Sequence, residues 1–372
     1  MKALALTPGT TNVRLVDRPE PQIAAGDQIK LRVIAVGICG TDREEVSGGR
    51  ADAPLGQNEL IIGHEMLGQV VEVGSAVQEF EPGDYAAFTV RRGCGHCSAC
   101  LMNRSDMCYT GDYTERGIKQ RDGYQAEFVV DTVQYAVKVP AEMASFGVLS
   151  EPMSVTEKAI DEVLRIQTAR LPDQRDPEHW LEGKQVLVAG LGAIGLLAAF
   201  ALRLRGADVL GLDIVEPDSI RPTILREVGG QYVDGRSSAL DTLDDKFGDI
   251  DLILEATGVA NLEFDLLAAL GINGIYVLTG IPSGDRPLKV DGPALMRRLV
   301  LRNQVMVGSV NASRKHFEMA VHDLNQSRQR WGSAIERVIT DRYPYTDYSK
   351  ALSHHSTAEI KTILEWSQPA TG

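Results

Sequence analysis

The segment VLVAGLGAIGLLAAFALRLRGADVLGLD, residues 186–213, restricts the possible folds of this chain more than any other stretch. It runs from an apolar strand through a glycine-rich turn into a long apolar helix and then into a second strand. That order predicts a βαβ unit, in which a crossover helix joins two parallel strands. Further apolar strands are predicted at 251–258 and 274–280, so the unit belongs to a larger parallel sheet.

The turn in this unit has the spacing G-x-G-x-x-G. The pattern is weak by itself, but here a strand precedes it, a helix follows it, and Asp213 ends the next strand about 20 residues later. This context predicts a doubly wound, Rossmann-type α/β domain that binds a dinucleotide, with the pyrophosphate at the helix amino terminus. The predicted cofactor-binding residues of this motif are Gly190, Gly192, Ala193, Ile194 and Gly195.

Asp213 also indicates which nicotinamide dinucleotide is bound. A carboxylate at this position accepts hydrogen bonds from the ribose hydroxyls and repels a 2′-phosphate. Ile214 and Val215 follow it, and the next positive charge along the chain is Arg221. We therefore expect NAD in preference to NADP.

Four of the five cysteines lie in GCGHCSACLMNRSDMC, residues 93–108, with the spacing C-x2-C-x2-C-x7-C. Closely spaced cysteines in an intracellular chain are more often metal ligands than disulfides, and four thiolates form the closed tetrahedral shell of a structural zinc. A closed shell leaves no position for a substrate, so this site is expected to hold a loop together. A cluster of free thiols is the alternative. The predicted ligands are Cys94, Cys97, Cys100 and Cys108.

A second metal site is predicted around the fifth cysteine. A catalytic zinc keeps three protein ligands and leaves one position open. Cys39, after the strand LRVIAV, and His64, 25 residues further on, supply two of the ligands. The third would be a carboxylate, and the sequence leaves both Glu65 and Glu151 as candidates. Each residue alone has an ordinary explanation as a core, turn or solvated side chain.

The composition limits the possible partners. The formal net charge of -13 argues against nucleic acid and anionic membranes. The longest apolar stretch, residues 186–202, has 17 residues and is interrupted by glycines, whereas a membrane-spanning helix needs about 20 apolar residues. The amino terminus lacks the apolar core of a signal peptide, so we expect a cytoplasmic protein.

The length of 372 residues exceeds what one hydrophobic core usually serves, so we expect two domains. Strand and loop patterns followed by a long helix predict a strand-rich domain over residues 1–184, which contains the predicted catalytic metal site. Residues 185–308 are predicted to form the dinucleotide-binding domain. The remaining residues, 309–372, are too few for a third domain and are expected to complete the first.

Several motifs resemble one family of enzymes. The pattern G-H-E-x-x-G-x5-G-x2-V, from Gly63 to Val77, is similar to the signature of the zinc-dependent medium-chain alcohol dehydrogenases. The segments VRRGCGHC (90–97), EPMSVTEKA (151–159) and GSVN (308–311) are similar to glucose dehydrogenases of archaeal type. The motifs follow the family's order along nearly the whole chain. The resemblance implies a GroES-like, strand-rich catalytic domain together with the Rossmann-type domain.

The resemblance also implies a reaction and its contacts. A hydride would pass from C1 of a cyclic aldose to the nicotinamide, giving a lactone, with zinc polarising the C1 hydroxyl. Glu151 stands where alcohol dehydrogenases usually have a cysteine, and a carboxylate there is typical of sugar and polyol enzymes. The residues implied to contact or deprotonate the sugar are Thr41, Glu115, Glu151 and Asn311. Those implied to line the nicotinamide pocket are Thr257, Gly258, Ser309 and Val310.

Two alternatives stay open beside a glucose dehydrogenase. A dehydrogenase of another sugar or polyol would use the same scaffold. A non-enzymatic dinucleotide-binding or structural protein would be expected to lose its metal ligands, whereas this chain has Cys39, His64 and Glu151. The resemblance further implies that strands near GIYVLTG (274–280) pair into dimers, which assemble into a homotetramer.

Overall fold

Contacts divide the chain into two compact units. The computed structural model describes residues 1–171, 179–238, 243–282, 287–354 and 356–368. The strand-rich unit comprises Met1–Ser154, Asn311–Asn325 and Ile339–Gly372. The parallel-sheet unit comprises Val155–Val310 and Gln326–Val338. Among the described residues, no helix is both long enough and apolar enough to cross a membrane.

The regular elements follow one another in chain order. The strands are β1 (Lys2–Leu6), β2 (Val13–Asp17), β3 (Gln28–Ile38), β4 (Leu60–Ile61), β5 (Glu65–Val73), β6 (Tyr85–Phe88), β7 (Arg91–Arg92), β8 (Thr114–Arg116), β9 (Gln120–Arg121), β10 (Phe128–Thr132), β11 (Ala136–Val139), β12 (Gln185–Ala189), β13 (Asp208–Asp213), β14 (Gln231–Asp234), β15 (Ile250–Glu255), β16 (Leu270–Leu278), β17 (Val305–Gly308), β18 (Ile339–Pro344) and β19 (Lys361–Glu365). The α-helices are α1 (Gly40–Val46), α2 (Ser98–Leu101), α3 (Ser150–Arg170), α4 (Ala193–Leu204), α5 (Ile220–Glu227), α6 (Leu243–Phe247), α7 (Ala260–Asp265), α8 (Gly292–Leu301), α9 (Arg314–Trp331) and α10 (Tyr348–Ser353).

The main sheet of the strand-rich unit has the order β11-β6-β5-β3-β19-β18, and β10 also pairs with β3. Its central strand β3 is an alternating apolar sequence whose side chains Ile29, Leu31 and Val33 are buried in the core of this unit. Strands β3 and β5 are antiparallel, and Gly37 lies opposite Glu65. Because of this register, the residue that follows β3 lies close to the residues that begin β5.

Two small sheets complete this unit. One has the order β2-β1-β4 and the other β7-β8-β9. In the second, Arg91 of β7 is the antiparallel partner of Glu115 in β8. The cysteine-rich segment 93–108 begins directly after β7. This small sheet therefore joins that segment to one of the residues implied to contact the sugar.

The parallel-sheet unit has the strand order β14-β13-β12-β15-β16-β17, and every neighbouring pair is parallel. Its first strand, β12, lies inside the sheet with β13 on one side and β15 on the other. The strand order reverses at this point, and ligands of such sheets bind in the crevice at the carboxyl ends of the strands. The predicted doubly wound sheet is confirmed.

The boundaries of the two units differ from those predicted at residues 184 and 308. The contact-based division falls within α3, after Ser154, so most of this helix belongs to the parallel-sheet unit. The segment Gln326–Val338 also belongs there, and Trp331 packs edge-on against Phe200 with ring centroids 5.6 Å apart. A sequence pattern locates where a strand begins, but it does not tell which sheet a long helix packs against.

The segment GIYVLTG, which is implied to pair between subunits, lies mostly in β16. That strand is hydrogen-bonded to β15 on one side and β17 on the other. The edge strand at this end of the described sheet is β17, at residues 305–308. Pairing between two copies at this end of the sheet would therefore use β17, the strand next to GIYVLTG.

Candidate active site and metal centres

Cys39 lies at the junction of β3 and α1, where it caps the helix. Its Sγ accepts a hydrogen bond from the Thr41 N–H at 3.3 Å, and its own N–H donates to Asp42 Oδ2 at 2.8 Å. The two bonds form a capping box, with a thiol in the place of the usual hydroxyl. The start of the helix thus fixes the position of the thiol.

His64 is held against this thiol by the turn that leads into β5. Its Nε2 lies 3.2 Å from Cys39 Sγ. The turn needs a glycine before the histidine, because Gly63 has φ +89° and a Cβ there would lie 2.5 Å from Gln125 Cγ. Asp42 Oδ1 is 3.7 Å from His64 Nδ1, an electrostatic contact that is longer than a hydrogen bond. Burial opposes the charged imidazole, but the neighbouring Cys39 and Asp42 raise the pKa of His64 well above its usual value.

Glu65, the first residue of β5, is buried in an ion pair that the sequence did not predict. Lys361 Nζ, from β19, donates to Glu65 Oε1 at 2.7 Å and to Oε2 at 2.8 Å. Burial acts against the lysine charge, but the Glu65 carboxylate leaves the pKa of Lys361 raised. Gly37 makes room for the carboxylate, since a Cβ there would lie 2.0 Å from Glu65 Oε2. The one sign of Lys361 in the sequence is a charged residue at the start of the apolar strand KTILE.

One ligand atom from each of Cys39, His64 and Glu65 lies within 4.8 Å of the others, so this group could hold a metal ion. A thiolate, an imidazole and a carboxylate are the ligand types that zinc accepts. The other carboxylate candidate, Glu151, is buried in the first turn of α3. Burial and then the charge of Glu65 raise the pKa of Glu151 to about 7. The structure thus brings Glu65 into the metal-binding group, whereas Glu151 is not part of that group and acts on His64 and Glu65 through its charge.

The four cysteines of segment 93–108, which we call the cysteine lobe, form a second group. Their Sγ atoms lie within 4.8 Å of one another, and none is in a disulfide. A Cβ at Gly93 would lie 2.3 Å from Cys100 Sγ, so only glycine fits there. The backbone N–H of His96, followed by Thr110, lowers the pKa of Cys94 to about 5, whereas burial raises the pKa of Cys100 to about 12. Four converging thiols fit the closed shell of a structural zinc.

The glycine motif has the backbone geometry of a dinucleotide site. Gly190 has φ +88°, and a Cβ at Gly195 would lie 1.7 Å from the Gly190 carbonyl oxygen. The third glycine therefore lets α4 pack closely on β12. The helix begins at Ala193 after Gly192, with no side-chain cap, so its first N–H groups can bind a phosphate.

Asp213, at the end of β13, has a charged neighbour. Its carboxylate accepts hydrogen bonds from the Leu191 N–H at 2.9 Å and the Ile214 N–H at 2.7 Å. Arg221 Nη1 lies 3.3 Å from Asp213 Oδ2. The arginine that is eight residues away in the sequence is thus in direct contact with the acid. The carboxyl end of β13 therefore has both a carboxylate, Asp213, which favours a ribose hydroxyl, and a guanidinium, Arg221, which favours a phosphate.

The loop at Thr257 and Gly258 is organised by Glu255, which the sequence analysis did not single out. Glu255 Oε1 accepts from the Thr257 N–H at 2.6 Å and from the Gly258 N–H at 3.0 Å. A Cβ at Gly280 would lie 2.4 Å from Glu255 Oε2. The signal was a charged residue at the end of the apolar strand DLILE. Its carboxylate accepts hydrogen bonds from the backbone N–H groups of the turn, which have no carbonyl partner among the described residues.

The two other residues implied to line the nicotinamide pocket belong to the same unit. Ser309 N–H donates to the Leu278 carbonyl at 2.9 Å, and the Val310 carbonyl accepts from Lys158 Nζ at 2.8 Å. The first bond continues the ladder beyond β17. Both residues therefore follow the carboxyl end of a strand of the parallel sheet, where dinucleotides bind.

Comparison with known families decides the relationship of the chain. The family model described as Alcohol dehydrogenase GroES-like domain matches residues 25–141. The one described as Glucose dehydrogenase C-terminus matches residues 144–366. The chain belongs to the glucose dehydrogenase family of zinc-dependent medium-chain dehydrogenases. The resemblance noted in the sequence is confirmed, and with it the enzyme class, a zinc-dependent oxidoreductase that acts on a CH–OH group.

Members of this glucose dehydrogenase family resemble the chain over its whole length. Glucose 1-dehydrogenase of Methanocella arvoryzae is 35% identical, covering 98% of this chain and 99% of its own. Glucose 1-dehydrogenase 2 of Vulcanisaeta moutnovskia is 38% identical with the same coverage. The structure of Haloferax mediterranei glucose dehydrogenase in complex with NADP, Zn and gluconolactone superposes with a TM-score of 0.87 at 32% identity, covering 99% of this chain and 100% of that one.

In this family member, two of the residues implied to contact the sugar meet although they are 196 positions apart. Asn311 Nδ2 donates to Glu115 Oε1 at 2.7 Å. Asn311 has φ +65°, a left-handed conformation that asparagine adopts more readily than most residues. Thr41 lies beside Cys39 in the first turn of α1, and the charge of Glu151 acts on His64. All four residues belong to the strand-rich unit.

Proposed function

We propose that this protein is a glucose 1-dehydrogenase that oxidises C1 of a cyclic aldose and passes the hydride to a nicotinamide dinucleotide, giving the aldonolactone. The observation that carries the proposal is the group of Cys39, His64 and Glu65, together with a second buried acid, Glu151, that interacts electrostatically with Glu65 and His64. A sugar offers several hydroxyls, and an acid with a pKa of about 7 can bind them as a proton acceptor or donor near neutral pH. The named relatives support the same substrate class.

The roles of the residues follow from their places. Cys39 and His64 would hold the catalytic zinc together with Glu65 or Glu151. When bound, this ion supplies a Lewis acid that makes a substrate hydroxyl more acidic. Thr41, adjacent to the thiol, would accept the substrate proton and pass it toward the cofactor ribose. Lys361 neutralises the buried charge of Glu65. This ion pair would restrain the Glu65 carboxylate and so limit its approach to the metal.

We assign a second, structural zinc to the cysteine lobe. Its four thiols converge as a closed shell requires, and no carboxylate or histidine is part of the group. Metal analysis of the purified protein is expected to give about two zinc ions per chain. A value of one would mean that only one of the two sites binds zinc. Loss of that ion in the C97S variant would identify the lobe as the occupied site, and its retention would identify the Cys39 group.

We propose NAD as the preferred cofactor. Asp213 presents a carboxylate at the end of β13, which favours ribose hydroxyls over a 2′-phosphate. The contact with Arg221 weakens that discrimination, because a guanidinium attracts phosphate. The D213A variant is expected to raise kcat/KM for NADP relative to NAD, and R221M to lower it. An NADP preference in the wild-type enzyme would overturn the proposal. If that preference were lost in R221M, Arg221 would be its cause.

The experiment that tests the substrate is a panel of glucose, galactose, xylose, sorbitol and threonine, each with NAD and with NADP. A glucose dehydrogenase is expected to oxidise the aldoses fastest. Oxidation of sorbitol alone would support the alternative of a polyol dehydrogenase. Absence of any rate, with dinucleotide binding retained, would support the alternative of a non-enzymatic binding protein.

We also propose a homotetramer assembled as a dimer of dimers. One edge strand of the described parallel sheet is β17. The side chains that are exposed and apolar in this strand and in helix α8, which precedes it in the chain, are Met296, Val300, Leu301 and Met306. Exposed apolar groups of this kind are typical of contacts between subunits. Light scattering is expected to give four times the chain mass. A monomer at micromolar concentration would contradict the proposal.

A further inference from the structure

Arg91 lies between two features that have so far been treated separately, the cysteine lobe and the sugar-contact residue Glu115. Arg91 and Glu115 are directly paired across strands β7 and β8. Their side chains are only 9% and 13% exposed. A buried guanidinium and a buried carboxylate each cost free energy unless they are paired, so the two groups depend on one another.

The contacts of the carboxylate are asymmetric. Glu115 Oε1 accepts from Arg91 Nε at 3.0 Å and lies 2.9 Å from Arg91 Nη2. The same oxygen accepts from Asn311 Nδ2 at 2.7 Å. Within the described residues, no protein donor contacts Oε2. One oxygen is therefore fully used inside the protein, and the other remains able to accept a hydrogen bond from a hydroxyl.

The opposite side of the guanidinium is anchored as well. Arg91 Nη1 donates to the Asp106 carbonyl at 2.8 Å, in the turn between Cys100 and Cys108. The guanidinium also stacks on the ring of Tyr113 at 4.0 Å. A planar fork that is bound along two edges and one face cannot rotate without breaking several contacts.

We propose that Arg91 is a positioning residue for the sugar. It fixes Oε1 of Glu115, and through that oxygen the amide of Asn311, so that Oε2 is presented to a sugar hydroxyl. The anchor at Asp106 makes the cysteine lobe part of the same rigid arrangement, so the lobe supports the substrate residues as well as its own loop. This inference rests on the proposed function, because it requires that Glu115 contacts the substrate.

Replacement of Arg91 by methionine keeps much of the side-chain volume but removes every donor. We expect KM for glucose to rise about ten- to a hundredfold, because a charge-assisted anchor of the binding carboxylate is lost. KM for the dinucleotide should stay within about twofold, since that site belongs to the other unit. KM for glucose of R91K should lie between the values of the wild type and R91M, because an ammonium keeps the positive charge but cannot donate to Glu115 and Asp106 in the fork geometry. R14M, at an exposed arginine of the same unit, is the matched control and should change neither KM.

The double variant R91M/E115Q separates positioning from a general loss of structure. If Arg91 acts through Glu115, the double variant should have nearly the same KM for glucose as E115Q alone. Multiplied effects of the two changes would overturn the inference. An unchanged KM in R91M beside a raised KM in E115Q would also overturn it, while leaving the proposed function intact.

Two further outcomes are decided by the same set of variants. If neither E115Q nor R91M alters KM for glucose in an enzyme that oxidises glucose, Glu115 is not a sugar contact and the inference fails with its premise. Circular dichroism and dinucleotide binding check that each variant is folded. If R91M does not fold, R91K and its double variant with E115Q give the same comparison.

Discussion

The cysteine lobe and the Cys39 group are both sets of potential metal ligands, but the chain assembles them in different ways. The lobe draws its four thiols from residues 94–108, so short turns and two glycines bring them together. The Cys39 group takes its residues from the ends of β3 and β5, and only the register of the sheet makes them meet. A local site can stabilise a loop, whereas a site made from separate strands is held rigid by the core.

The surroundings of the two groups differ even more. In the lobe, hydrogen bonds from backbone N–H groups and from Thr110 lower the pKa of Cys94 and Cys108 and so favour their thiolates, whereas burial raises the pKa of Cys100. Around Cys39 the neighbours are buried and ionisable, and they include Asp42, Glu151 and Lys361. The pKa values of Glu151 and Lys361 are both raised, and ionisable groups with shifted pKa values in one buried place are typical of sites where protons move. From this comparison we propose that the lobe serves stability and the Cys39 group serves chemistry.

The largest effect is expected from replacing Cys39 with serine. Loss of a ligand to the catalytic metal removes several kcal/mol of transition-state stabilisation, so kcat should fall at least about a thousandfold. Zinc content should fall by about one ion per chain, while the melting temperature changes little. Steady-state rates, metal analysis and thermal melts check this. Retained turnover would show that the comparison assigns chemistry to the wrong group.

The matched change in the lobe, Cys97 to serine, is expected to act on stability. The melting temperature should fall by roughly 5–10 °C, because the loop loses its closed metal shell. The kcat of the protein that remains folded at low temperature should stay within about tenfold of the wild type. Equal melting temperatures for C97S and wild type would contradict a structural role of the lobe.

A smaller effect is expected from G37A, which sharpens the role of Glu65. The new Cβ would lie 2.0 Å from Glu65 Oε2, so the carboxylate must leave its place beside Lys361. Displacing a group at a metal site typically costs about 10- to 100-fold in activity or metal affinity. G292A is the control, because a Cβ there meets nothing within 4 Å. If G37A is as active as G292A, Glu65 is not needed in its present position.

The smallest effect concerns Glu45, a buried acid of α1 near Asp42. Burial and then the charge of Asp42 raise the pKa of Glu45 to about 8. A carboxyl whose pKa is higher in the folded state binds its proton more tightly there, so its contribution to stability is present at low pH and is lost as pH rises toward 8. The free energy of unfolding should fall by up to about 1.4 kcal/mol per pH unit across this window.

The E45Q variant removes this titration, so its stability should depend less on pH between about 5.5 and 8. Chemical denaturation of both proteins at these two pH values measures the difference. E142Q, at an exposed acid of the same unit, is the control and should behave as the wild type. Identical pH dependence in E45Q and wild type would mean that Glu45 does not titrate in this range.

Much of the fold followed from patterns that short stretches carry. The βαβ unit with its glycines was predictable because a turn with positive φ and a close helix contact admit almost no other residue. The cysteine lobe was predictable because its ligands are near neighbours in the chain. Cys39 and His64 could be named as candidate ligands, but the choice between Glu65 and Glu151 could not be made from spacing.

The amino-acid sequence by itself determined the parallel sheet, the dinucleotide motif, the cysteine lobe and the family, since each depends on local backbone requirements or on motifs in a fixed order. Only the tertiary structure decided that Lys361 pairs with Glu65, that Arg221 contacts Asp213, and that Arg91 joins Glu115 to the lobe. Lys361 lies 296 residues from Glu65. Such contacts arise when the sheets close and burial forces charged groups to find partners, and no local pattern records which partner each will find.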